Sequence, residues 1–99
     1  MSNSASETLH LSARVIPATE LLSSALDGEV VILDLTSGIY FGLNGVGARI
    51  WELLGEARDL RSVRDTLTTE FEVDPARCEA DLLEVVGRMA ASGLVRVNE

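Results

Sequence analysis

Residues 29–44, Glu-Val-Val-Ile-Leu-Asp-Leu-Thr-Ser-Gly-Ile-Tyr-Phe-Gly-Leu-Asn, decide how this chain is read. EVVILDL (29–35) is a β-branched, apolar run with turn residues on both sides, the mark of a buried strand. Thr36, Ser37 and Gly38 form a short loop with Gly where a positive φ is needed. IYFGL (39–43) then returns as a second strand, so the two make an antiparallel hairpin. On the N-terminal side, Asp27-Gly28 is a turn pair. The stretch before it, residues 19–26, leans towards helix by propensity but is short. Further upstream, Leu9, Leu11 and Val15 alternate with His10, Ser12 and Arg14, a weak strand signal ending at Pro17. Residues 1–8 (MSNSASET) are small and polar and are expected to be a disordered tail, with one domain over 9–99.

C-terminal to the hairpin the period changes from two to 3.6. Asn44 suits an N-cap, Val46, Ile50, Trp51 and Leu54 fall at helical spacing, and Gly55 suits a C-terminal stop. Asp59 caps a second helix whose Leu60, Val63, Leu67 and Phe71 form one stripe. Asp74-Pro75 is an N-cap followed by Pro at the first helical position. The third helix runs to about Ser92, with Cys78, Leu82, Val85 and Met89 on one face and Leu83, Val86 and Ala90 beside it. Gly93 stops it, and residues 94–97 alternate as a short strand or tail. The expected fold is therefore α+β and winged helix-turn-helix-like, a small antiparallel sheet joined to three helices.

Composition narrows the function. The chain has 99 residues, 46% of them apolar, enough for one modest core without disulfide or metal. Sixteen acidic residues against eight basic ones, all Arg, give a net charge of −8. That balance opposes phosphate backbones, and the third helix carries Glu79, Asp81 and Glu84 against Arg77 and Arg88, unlike a recognition helix. Neither a signal peptide nor a membrane span is legible, which points to the cytoplasm. Chemistry is equally sparse. His10 is the single histidine and Cys78 the single cysteine, so neither a zinc site nor a disulfide is available. Cys78 reads as a small buried hydrophobe. Gly42, Gly45 and Gly47 lack the Lys-Ser/Thr of a phosphate loop and ease a strand-to-helix turn. No cofactor, metal or catalytic residue is expected.

What remains is an edge. Residues 39–43 come last in the meander and carry neither charge nor Pro, so their unpaired backbone groups are open to another strand. A helix or loop covering that edge is the competing reading. Phe41 and Leu43 share a face, taken as the core side, and Tyr40 on the other face is the exposed anchor. Only one of the Tyr40 and Gly42 N–H groups is expected to face outward.

At this point the sequence resembles a known family. Leu33-Asp34-Leu35-Thr36-Ser37-Gly38-Ile39-Tyr40-Phe41-Gly42-Leu43-Asn44 is similar to the hairpin of PqqD-like proteins, the recognition elements of ribosomal peptide-modification (RiPP) pathways. Ala48, Ile50, Trp51, Leu53 and Leu54 resemble the family's first helix, and Phe71-Glu72-Val73-Asp74 resembles the entry to its third. Asp81-Leu82-Leu83 and Gly93-Leu94 complete a likeness spanning roughly residues 20–95. The resemblance implies a three-stranded antiparallel sheet followed by three helices, with the ambiguous stretch near residues 21–25 as strand one. It implies a non-catalytic adaptor that binds the leader segment of a precursor peptide as an added strand. The groove would use Ile39, Tyr40, Phe41, Gly42 and Leu43 on one wall and Asp81, Leu82, Val85 and Arg88 on the other. Partners implied are that leader and a modifying enzyme (a protease, cyclase or radical enzyme), without nucleic acid or membrane. The Leu-Asn and Ile-Trp wording looks more like lasso-peptide clusters than the quinone-cofactor chaperone. The alternatives are a DNA-binding winged helix and a homodimeric structural subunit assembled through the same edge.

Overall fold

The structure, a computed structural model, describes residues 9–56 and 59–98; the tail expected at 1–8 lies outside them. Among the described residues five strands and three helices follow in order: β1 (Arg14–Pro17), β2 (Leu21–Leu26), β3 (Glu29–Asp34), β4 (Tyr40–Asn44), α1 (Gly45–Glu56), α2 (Leu60–Phe71), α3 (Pro75–Ala91) and β5 (Val95–Asn98). β2, β3 and β4 form an antiparallel meander with β3 in the middle, while β1 and β5 pair as a separate antiparallel ribbon.

Two local devices set the meander's register. Asp27 and Gly28 have φ of 54° and 79°, the paired positive values of a type I′ turn, whose twist matches that of the flanking strands. On the other side, Asp34 Oδ1 accepts hydrogen bonds from the Thr36 and Ser37 amides at 3.0 and 3.4 Å. The Gly38 amide donates to the Asp34 carbonyl at 2.7 Å, and Gly38 takes φ 77°. An Asp at the loop entrance and a Gly four residues later thus close the hairpin.

β2 is a strand although its composition leans to helix, because pairing along six residues of β3 supplies its backbone bonds. β3 is half-buried where a wholly buried strand was expected: Val30 and Ile32 lie in the core, whereas Val31 is 47% exposed. The reason is that helices cover one face of the sheet only. The alternation at residues 9–15 is real as burial, with Leu9, Leu11, Ala13 and Val15 inside. Only Arg14–Pro17 pairs, however, and it pairs with β5 at the far end of the chain.

The helices differ from expectation in detail. Asn44 belongs to β4, and the chain enters α1 through Gly45 at φ 57°. Gly55 lies inside α1, which runs on to Glu56. α1 buries Ala48, Ile50, Leu53 and Leu54 and leaves Val46 exposed and Trp51 half-buried. Asp59 caps α2, accepting from the Arg61 amide at 2.9 Å and the Ser62 hydroxyl at 2.8 Å. Leu60, Val63 and Leu67 are buried, but Phe71 at the end of the stripe is 45% exposed. Asp74 caps α3 through the Arg77 amide at 3.1 Å. α3 ends in a Schellman motif, with Leu94 N donating to Met89 O at 2.9 Å, Gly93 N donating to Ala90 O at 3.1 Å, and Gly93 at φ 81°. That turn sends Leu94 and Val95 back into the core.

Ile32, Ile50, Leu54, Leu60, Leu82 and Val86 are among the fully buried side chains. Among the described residues no buried side-chain polar atom lacks a partner. Leu54→Ala is expected to cost about 2–5 kcal/mol, read as a lowered denaturation midpoint. The Ser62 hydroxyl, with the Arg61 amide, holds the Asp59 carboxyl below its ordinary range. A depressed pKa stabilises the fold above the unfolded-state value, and that stabilisation is lost as pH falls through the folded-state value. Asp59→Ala should therefore lower the melting temperature at neutral pH, and its gap to wild type should close in acid.

Candidate peptide-binding groove

Among the described residues β4 pairs only with β3, so its other side is an edge of the sheet. Which groups it offers follows from one bond. Asp34 N donates to Ile39 O at 2.9 Å, and antiparallel pairs alternate between bonded and non-bonded. With Ile32 opposite Phe41 and Val30 opposite Leu43, Phe41 and Leu43 bond inward. Tyr40, Gly42 and Asn44 turn their N–H and C=O groups to the open edge. The Leu35 N to Glu20 O bond on the far side of β3 gives the same alternation. The expectation that Tyr40 and Gly42 face opposite ways is thereby corrected: residues two apart on a strand share a direction.

Beside this edge runs a groove of about 330 Å³, lined by Phe41, Gly42 and Leu43 from β4, by Val85, Arg88 and Met89 from α3 and by its C-cap Ser92. The helix positions follow i, i+3, i+4 and i+7, one face of α3. Asn44, Gly47 and Leu94 complete the lining. Phe41 and Leu43 are half-buried and pack on the core while presenting the groove's apolar wall. Arg88 is the one charged residue in the lining, and among the described residues it takes part in no ion pair.

Five of the nine residues read from sequence therefore meet here: Phe41, Gly42, Leu43, Val85 and Arg88. Tyr40, 68% exposed, lies on the outer face of the sheet beside Leu33, and Ile39, 54% exposed, sits in the loop before β4; neither lines the groove. Leu82 is only 1% exposed, and with Asp81 it faces a smaller apolar cavity of about 100 Å³ shared with Val46, Phe71 and Val73. The residues missed were Asn44, Gly47, Met89, Ser92 and Leu94. Met89 and Ser92 were within reach, one turn beyond Val85 and Arg88.

The site offers hydrogen bonds and apolar surface. Cys78 is buried, with its sulfur 3.8 Å from the Arg64 carbonyl. His10 is exposed in the N-terminal segment. Among the described residues no group of three His, Cys, Asp or Glu side chains stands close enough to hold a metal ion, and no helix is long and apolar enough to cross a membrane. The shortest ion pair among the described residues, Arg49 with Glu70 at 2.6 Å, joins α1 to α2 away from the groove, and Arg49 also meets Glu52 at 3.2 Å. It raises the Arg49 pKa and lowers that of Glu70.

Known proteins share this fold. The family model described as coenzyme PQQ synthesis protein D (PqqD) matches residues 29–95. The solved structure of TbiB1 in complex with the TbiA(beta) leader peptide is similar at a TM-score of 0.78 and 36% identity, covering 82% of this chain and 94% of that one. A lasso peptide synthetase B1 complexed with the leader peptide is similar at 0.76 and 28% identity, covering 84% and 98%. A search of the curated proteins gives no match. The matched span, the shared fold and the identity to TbiB1 agree that this chain belongs to the PqqD family.

Proposed function

We propose that this protein is a non-catalytic, cytoplasmic adaptor of a lasso-type peptide pathway, which takes the leader segment of a ribosomally made precursor as a fourth strand on β4 and presents the precursor to a modifying enzyme. The observation that carries the reading is the open backbone of Tyr40 and Gly42 beside the apolar groove of Phe41, Leu43, Val85 and Met89. Two relatives of the same fold are complexed with leader peptides.

Magnitudes assign the parts. Each of the two residues offers one donor and one acceptor, and four hydrogen bonds at about 1 kcal/mol net each correspond to roughly millimolar affinity alone. Backbone pairing therefore sets register, and burial of leader side chains in the groove must supply the affinity that makes an adaptor useful. A leucine-sized side chain leaving water there contributes about 1.5–3 kcal/mol. Arg88 adds the groove's one fixed charge, which favours an acidic or neutral leader over a basic one.

The test is titration of a fluorescently labelled leader, taken from the precursor gene beside this one, followed by anisotropy. Gly42→Pro removes an outward N–H where an added Cβ meets no atom within 4 Å. It should weaken binding about tenfold or more while leaving thermal unfolding near wild type. Phe41→Pro removes a bond to β3 and should instead lower stability. Saturable binding that survives Gly42→Pro unchanged would show that the leader does not add to this edge.

A further inference from the structure

Among the described residues the sheet has a second open edge, on β2. The Leu35 N to Glu20 O bond and the register of Leu22 opposite Leu33 show that Leu22, Ser24 and Leu26 bond inward to β3. Leu21, Ser23 and Ala25 therefore turn their N–H and C=O groups outward. The strand reads LLSSAL. It holds no charge and no Pro, so nothing in its own sequence guards the edge.

A helix stands beside this edge too. Ser23 and Ala25 point to the same face as Val30, and with Trp51, Glu52, Gly55 and Glu56 of α1 they line an open cavity of about 410 Å³. Ser23 and Ala25 are exposed, and with Gly55 their small side chains leave room for another chain. The plan of the β4 groove is repeated at the other end of the sheet, with the opposite charge. Among the described residues the β4 groove is lined by one cation and no carboxylate, the β2 groove by two carboxylates and no cation. Glu52 also pairs with Arg49 at 3.2 Å. Glu52 and Glu56 stand one turn apart, about 6 Å along the helix axis. Cations two residues apart on an extended chain repeat at about 6.6 Å, a comparable spacing, and Trp51 in the lining is the side chain that attracts a guanidinium best.

From this geometry we infer that the β2–α1 groove is a second strand-addition site, whose occupant is an extended, basic segment of a partner protein. That this partner is the peptide-modifying enzyme rests on the adaptor reading above; the preference for a basic strand does not. Leader and partner would then flank the same three strands, each edge refusing the other's ligand by charge. A second copy of this chain is the poorer occupant, because pairing two β2 strands brings together two chains of net charge −8.

The probes are short labelled peptides of alternating Arg and Val, and of alternating Glu and Val, titrated by anisotropy into the full chain. The Arg–Val peptide should bind saturably, whereas any binding of the Glu–Val peptide should be displaced by excess leader and indifferent to Ser23→Pro. Ser23→Pro, which removes an outward N–H without touching the β3 ladder, should weaken Arg–Val binding about tenfold. Glu52→Gln with Glu56→Gln should do the same without any backbone change. Excess leader should fail to displace the Arg–Val peptide, and leader affinity should be unchanged in these variants. Absence of Arg–Val binding overturns the inference, as does displacement by the leader, which would place the peptide on β4. Binding that survives Ser23→Pro in a protein still folded by circular dichroism is attraction to overall charge and also overturns it. So does a dimer seen by light scattering that Ser23→Pro dissolves, which puts a second copy on this edge. A leader that fails to bind wild type, beside an Arg–Val peptide that responds to both variants, would sink the adaptor reading and leave this site standing.

Discussion

The position of β3 between two short strands is the constraint on which the rest of the molecule depends. Its Val30 and Ile32 side chains enter the core, and its backbone groups are spent on β2 at odd positions and β4 at even ones. With only three strands, every hydrogen bond made inward leaves its counterpart bare on an outer edge. Larger sheets dilute that cost over many strands. Here two of three strands are edges.

The helices turn bare edges into grooves. α1 follows β4 without a loop, since Gly45 takes a left-handed φ, and so it lies across the inner face of the sheet. α3 passes the open side of β4, positioned by its cap at Asp74 and its stop at Gly93. The stop matters twice: the turn returns Leu94 to the groove lining and sends β5 to pair with β1. Phe41, Leu43 and Met89 therefore serve the core and the groove together, so the groove's shape is as rigid as the core behind it.

A helix pair packed on a small sheet is also a layout used to read DNA, and charge separates the two uses here. The exposed positions of α3 mix Asp81 and Glu84 with Arg77 and Arg88. On a chain of net charge −8 that surface gives a phosphate backbone little to hold. What the same layout offers a peptide is an ordered edge and a nearby wall, neither of which needs positive charge.

Much of this was written locally. The Asp27-Gly28 turn, the Asp34-to-Gly38 loop, the caps at Asp59 and Asp74 and the stop at Gly93 are short-range devices, each satisfied within a few residues, so the hairpin and the helix order could be read from the chain. The likeness to PqqD-like proteins placed the first strand of the meander, where helical propensity pointed the other way. Tertiary structure alone decided the pairing of residues 14–17 with 95–98, which no local signal encodes. It also decided that Leu82 lies in the core while Val85 and Arg88 line the groove. A stripe on a helix shows which side is apolar; only the neighbouring elements determine whether that side meets the core or stays open to a ligand.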